Sequence, residues 1–214
     1  MVVLAIDRST DVPSIALAAD GQIVGRIFEG ENARSADWPE MVKGFLSEHR
    51  LLFYDLERLV VGTGPGSFAG IRGALAFAQG LAIGIRAKRP ESSADPVVYG
   101  LPSASVLAQD EGLTAVVGDA RRGLFWVVVY EGARMVTDFR LVTQEEIAAA
   151  VPETAAVTTP DGVRIGALLA KMFGMRFRGG RSPSAERLVH LAVAYPEALV
   201  PEPLPIYLSP AVRT

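Results

Sequence analysis

The sequence has no cysteine and only two histidines among its 214 residues. That excludes a disulfide framework, a thiolate nucleophile and a cysteine-ligated zinc. His49 and His190 stand far apart, and neither has a second histidine three or four residues away to complete a helical metal pair. A basic excess is also missing: 21 Lys and Arg against 24 Asp and Glu leave a formal charge of -3. With a pI near 5.5 and few interleaved aromatic and basic residues, the chain lacks the footprint of a stand-alone nucleic-acid binder. The opening MVVLAIDRST has no basic stretch before its apolar run, so it reads as a first strand and not as a signal peptide. The cytoplasm is the expected compartment. The most hydrophobic window, Ala69 to Ile85, is short for a bilayer and contains Arg72, Gln79 and several glycines. A buried helix explains it better, and no membrane association is expected.

What is present is enough apolar sequence for a large core, since 50% of the residues are hydrophobic. Val2 to Asp7 is an apolar run ending in an acid, and Ser14 to Ala19 leads through Asp20-Gly21 into 22–29, the pattern of a hairpin. Trp38, Met41, Val42, Phe45, Leu46 and His49 recur at helical spacing, which predicts an amphipathic helix over 36–50. Asp37 and Glu40 are placed to form a capping box. A strand at Arg58 to Gly62, a glycine-rich break and a helix at Gly70 to Ile85 follow. Val97 to Tyr99 reads as a strand and Pro102 to Gln109 as a helix. The pattern then restarts: Thr114 to Asp119 and Leu124 to Tyr130 read as strands, Arg134 to Val142 as a third, and Gln144 to Ala150 as a helix. Ala155 to Thr159 predicts a strand, with helices at Ile165 to Phe173 and Ala185 to Tyr195. Both halves thus open on strand, acid, turn and two strands. Such repetition predicts an α/β fold of two related lobes, each a mixed sheet with helices, at 1–110 and 111–214. The stretch 87–96 is expected as a surface loop and 196–205 as extended chain.

The strand-turn-helix at 60–84 carries the strongest local signal. Gly64, Gly66 and Ala69 imitate a G-x-G-x-x-A dinucleotide fingerprint, but the turn follows a fourth strand and no strand-terminal acid appears at the expected distance. The Gly-Lys-Ser/Thr ending of a P-loop is absent, and Pro65 occupies the place of the first glycine of a nucleophile elbow. A tight structural turn is the simpler reading. In the helix that follows, Gly70, Ala74, Ala78 and Ala82 form a small-residue stripe among Ile71, Leu75, Leu81, Ile83 and Ile85. A helix apolar nearly all round needs cover on more than one side. Composition leaves open whether that cover is this lobe or another subunit. Asp7 and Asp119 end the first strand of each half, where acids also serve as ordinary turn formers. Arg176, Arg178 and Arg181 around Gly179-Gly180 make a basic loop, read as solvated surface.

Three segments together resemble the TsaB (YeaZ) family: L-A-I-D-R-S-T at 4–10, G-T-G-P-G-S-F-A-G-I-R at 62–72 with A-Q-G-L-A at 78–82, and G-D-A-R-R-G at 118–123. The closing P-I-Y-L at 205–208 fits as well. The resemblance implies an actin-like (ASKHA, glycoprotease-like) fold that has lost much of its ATP-handling apparatus. It implies a non-catalytic partner in forming N6-threonylcarbamoyladenosine at position 37 of tRNAs reading A-starting codons. Such a subunit binds a TsaD-like catalytic subunit, is joined by a TsaE-like ATPase, forms a homodimer as an alternative assembly, and meets tRNA through the complex. No cofactor is held stably by the chain alone, ATP and magnesium being used by the complex. The implied contact lies on the first two helices, through Trp38, Met41, Val42, Phe45, Gly70, Ile71, Ala74, Ala78 and Ala82. Asp7, Ser9 and Asp119 are the implied remnants of a nucleotide site. Two departures stand out: Ala69 replaces the family's usual threonine, and Ser35-Ala36-Asp37-Trp38 replaces a histidine-containing stretch. The competing expectation is an active ASKHA-type ATPase or glycoprotease-like enzyme. It would need a glycine-rich second phosphate loop after Asp119, where the chain reads A-R-R-G.

Overall fold

A computed structural model describes residues 1–28, 37–88 and 97–208. Ser35, Ala36 and most of the expected 87–96 loop lie outside them. The chain divides into two compact units. The first joins Met1–Ser103 to Ser184–Pro205, and the second runs over Ala104–Pro183 and includes the described residues from Ile206 onward.

In the first unit β1 (Val3–Asp7), β2 (Ser14–Ala19) and β3 (Gln22–Ile27) form an antiparallel meander. The β2–β3 turn is the predicted Asp20-Gly21, both residues at positive φ of 52° and 78°. Helix α1 (Trp38–Glu48) leads to β4 (Arg58–Gly62), and α2 (Phe68–Lys88) leads to β5 (Val97–Leu101). Strand β4 pairs parallel with β1, and β5 pairs parallel with β4. The resulting order, β5-β4-β1-β2-β3, gains β12 (Val200–Pro201) at the β5 edge. Alternation along the strands separates two faces. Leu4, Ile6, Ile15, Leu17, Leu59 and Val61 share a core with α1 and α2. Their neighbours Val3, Ala5, Ala16 and Ala18 are also buried, and helix α5 (Ala185–Ala194) lies against β1 to β4. Small side chains on the α5 side allow that close approach. A buried hydrogen bond from the Ala185 N–H to Ser14 Oγ, 2.8 Å, fixes the start of α5 on the sheet.

The second unit repeats the order. Strands β6 (Leu113–Arg121) and β7 (Leu124–Glu131) form a hairpin, and β8 (Arg134–Met135) and β9 (Arg140–Thr143) both pair antiparallel with β7. Helix α3 (Ile147–Ala150) precedes β10 (Ala156–Thr159), and α4 (Gly162–Phe173) precedes β11 (Phe177–Gly180). Strand β10 pairs parallel with β6 and with β11, giving β11-β10-β6-β7-β8. Two sheets with matching connectivity, each a meander followed by two parallel strands that are each preceded by a helix, make this an actin-like (ASKHA) α/β fold of two related lobes.

Several expectations change. The helix at 185–194 belongs to the first unit and not to a lobe at 111–214, because its Leu188, Val189 and Ala192 are buried and it packs on β1 to β4. The expected helix at 102–109 is a single 3-10 stretch, Ser103–Leu107. The strand expected over 134–142 is broken into β8 and β9. Asp37 does cap α1, accepting from the Glu40 N–H at 3.4 Å, but Glu40 pairs with Lys43 at 3.2 Å and does not close a capping box. The basic loop at 176–181 is partly strand β11. Arg176 is no free surface cation there: it donates to the carbonyls of Pro152 and Glu153, both at 2.8 Å, and stacks on Phe173.

By length and composition α2 is the one helix among the described residues that could cross a membrane. Its Ile71, Ala74, Leu75, Ala78 and Ile85 are instead part of the first core. Much of its remaining surface is uncovered.

Candidate functional site

Two features of the first unit bear on function: the end of β1 and the outward face of α2. At the end of β1, Asp7 is fully buried. Its Oδ1 accepts from the Ser9 N–H at 2.8 Å and from the Ser9 hydroxyl at 2.7 Å. Oδ2 closes no hydrogen bond. The nearby Ser103 hydroxyl, like the Ser9 contacts, favours the carboxylate form. Burial outweighs these contacts and raises the Asp7 carboxyl above its ordinary value of 3.8. Gly62 is required beside it, since a β carbon there would fall 1.9 Å from Oδ2.

The glycine-rich turn is explained by the same strand end. A β carbon on Gly66 would meet the Ser9 carbonyl at 2.1 Å, and one on Gly70 the Arg8 carbonyl at 2.0 Å. The Ser67 N–H donates to that Ser9 carbonyl at 2.6 Å, and the Gly70 N–H to Ser67 Oγ at 3.2 Å. Backbone does approach closely here, as glycines permit, but the backbone that approaches is the chain's own. The start of α2 is thereby filled from within.

In the second unit Asp119 occupies the matching strand end. Its Oδ1 accepts from the Arg121 N–H at 2.8 Å, and its Oδ2 pairs with Arg164 Nε at 2.9 Å. The Asp119 N–H donates to Asp161 Oδ2 at 2.8 Å, and Arg164 also pairs with Asp161. Burial holds the Asp161 carboxyl above its ordinary value against these hydrogen bonds and charges. Magnesium and phosphate, which an actin-like fold places at such strand ends, need accessible carboxylate oxygens. Asp7 is sealed and Asp119 is already engaged by arginine. Ser9 spends its hydroxyl on Asp7. These three residues do not fit a magnesium nucleotide as they stand, and no cluster of metal-ligating side chains exists among the described residues.

The outward face of α2 differs from the one expected. Ala74 and Ala78 are 1% and 0% exposed, and Ile71, Trp38, Val42 and Phe45 are buried with them. These six form the core under the sheet and cannot meet another subunit without unfolding. Gly70 is half-buried against Arg8, and Ala82 and Met41 are half-buried as well. The stripe that faces outward is a second one, Ala69, Ala76, Gly80 and Gly84, exposed at spacings that return to one side of the helix. Phe68 and Ile83, 52% and 68% exposed, lie along it. A β carbon on Gly80 or Gly84 would meet nothing within 4 Å. The sequence held this signal, but two interleaved small-residue stripes are indistinguishable until one knows which faces the sheet. Beside α2, Arg8 stacks on Trp38 with its guanidinium 4.5 Å from the ring centroid.

Comparison with known proteins agrees with this architecture. The model of the family described as tRNA N6-adenosine threonylcarbamoyltransferase (TsaD) matches residues 31–138. The tRNA threonylcarbamoyladenosine biosynthesis protein TsaB of Escherichia coli is 32% identical over 133 residues, 59% of this chain and 54% of that protein. Its Bacillus subtilis namesake is 29% identical over 136 residues, 61% and 56% of the two chains. These matches span little more than half the length of the relatives. The solved structure of YeaZ from Pseudomonas aeruginosa superposes with a TM-score of 0.74 at 25% identity, covering 97% of this chain and 99% of that one. The chain therefore belongs to the TsaB/YeaZ family of glycoprotease-like ASKHA proteins.

Proposed function

We propose that the chain is a cytoplasmic, non-catalytic subunit in the formation of threonylcarbamoyladenosine on tRNA, acting by binding a TsaD-like catalytic subunit. The observation that carries this reading is the outward face of α2. Ala69, Ala76, Gly80 and Gly84 let a second helix approach closely, while Phe68 and Ile83 supply apolar area at its margins. The same face serves a homodimer when the catalytic subunit is absent. The engaged state of Asp7 and Asp119 supports the non-catalytic half of the proposal, with ATP and magnesium handled by the TsaD-like and TsaE-like partners.

Reconstitution tests it. TsaD-like and TsaE-like proteins incubated with tRNA, threonine, bicarbonate and magnesium ATP are expected to form the modified nucleoside only when this chain is added. The chain alone is expected to hydrolyse ATP at background. Modification that proceeds equally well without it, or magnesium-dependent turnover by it alone on the order of 1 per second, would contradict the proposal.

A further inference from the structure

The hairpin joining β6 to β7 carries two arginines that the turn does not explain. Arg121, Arg122 and Gly123 run consecutively in the left-handed region, at φ of 70°, 55° and 78°. A β carbon is disfavoured there, and Asn, Asp or Gly meets the requirement more readily. The β2–β3 hairpin of this chain solves the same problem with Asp20-Gly21. The tip is also braced. The Arg121 N–H is tied to Asp119 Oδ1 at 2.8 Å, and Asp119 is held by Arg164 at 2.9 Å.

Both arginine side chains project from this support. Arg121 is 66% exposed and makes a long ion pair to Asp119 Oδ2 at 3.6 Å, which leaves most of its guanidinium open to solvent. Arg122 is exposed and has no hydrogen-bond or ion-pair partner among the described residues. Asp119 and Asp161 are set against Arg164, Arg121 and Arg122, so the cluster keeps an excess of positive charge at its outer end.

We propose that the Arg121–Arg122 tip is an RNA contact whose two guanidiniums grip backbone phosphates of a tRNA. The inference rests on the reading of the chain as a tRNA-modification subunit and assigns it a direct part in holding the substrate. A guanidinium matches a phosphate through paired N–H donors. Docking to a protein is less well served, because such interfaces centre on buried apolar anchors, and the turn offers only Leu124, 36% exposed. With a net charge of -3, the chain as a whole does not attract RNA. The tip therefore orients a tRNA and contributes modest affinity.

The test is the double substitution Arg121→Asn and Arg122→Asn in the full chain. Asparagine suits the left-handed backbone, so the variant should melt at the wild-type temperature or above it. Binding of labelled unfractionated tRNA is measured from low to physiological salt, with Arg134→Asn as a control at an exposed arginine paired to Glu131. The expected result is an affinity about tenfold lower and a salt slope shallower by about 1 to 2, with the control unchanged. A folded double variant of unchanged affinity and slope overturns the proposal. So does an equal loss in the control, which would mean general charge attraction, or a wild-type chain that binds no tRNA at low salt. Binding of the TsaD-like subunit is scored in parallel. A wild-type chain that holds tRNA but not that subunit fails the subunit reading and leaves the tip intact.

Discussion

Asp7 shows what a single residue in this chain does and how little of it a sequence can reveal. Its position at a strand end was legible from the apolar run that precedes it. Its environment was not, because Gly62 and Ser103, which enclose it, are brought in by β4 and by the chain after β5. The same holds for Asp119, whose partners Asp161 and Arg164 stand more than 40 residues further on. Because the folded chain holds the Asp7 proton more tightly than the unfolded chain, Asp7 favours folding most in acid. Its contribution declines as pH rises above the ordinary value of 3.8 and keeps declining until the raised folded value is passed. Asp7→Asn removes that dependence while its carbonyl still accepts from Ser9. The variant is expected to gain stability relative to the wild type as pH is raised from the ordinary carboxylate range towards neutrality. Urea unfolding of both proteins at several pH values measures the difference. A flat difference across that range would mean that Asp7 is not the buried, proton-holding group described.

Elements were read more reliably than residues. Strand and helix periodicity placed β1 to β7, β10, α1, α2, α4 and α5 within a few residues of their observed ends. The short pieces β8, β9, α3 and β11 were blurred, since two to four residues carry too little pattern to separate strand from loop. For helix α2 the sequence pattern specifies the element type but not which face is buried. Gly70, Ala74, Ala78 and Ala82 were expected to meet another subunit, but the inner members of that stripe lie in the core. Ala78→Glu would leave a charge buried under the sheet and should destabilise the chain by several kcal/mol. Ala76→Glu places the same side chain on the exposed face and should shift stability by no more than about 0.5 kcal/mol. Thermal melting of the two variants separates them. Equal destabilisation would show that the two faces are not inner and outer as described.

At the scale of the whole molecule the repeat of two sheets was visible from the order of elements alone. The crossing of α5 back to the first sheet was not, because no local pattern says which lobe a helix will cover. The consequence is that the first lobe is completed by sequence near the end of the chain. A fragment of residues 1–110 lacks the cover over Val3, Ala5, Ala16 and Val60 and the Ser14 to Ala185 hydrogen bond. It is expected to show no cooperative melting transition by circular dichroism, whereas the full chain should show one. A fragment that melts cooperatively would mean that α5 is dispensable to the first unit. The central claim, that the chain works by presenting the outer face of α2 to a catalytic partner, is tested most directly by sedimentation with a TsaD-like subunit. The wild-type chain is predicted to co-sediment with it, and a folded Ala76→Glu variant to bind at least tenfold more weakly, about 1.4 kcal/mol or more. Undiminished binding by that folded variant would contradict the account and place the contact elsewhere.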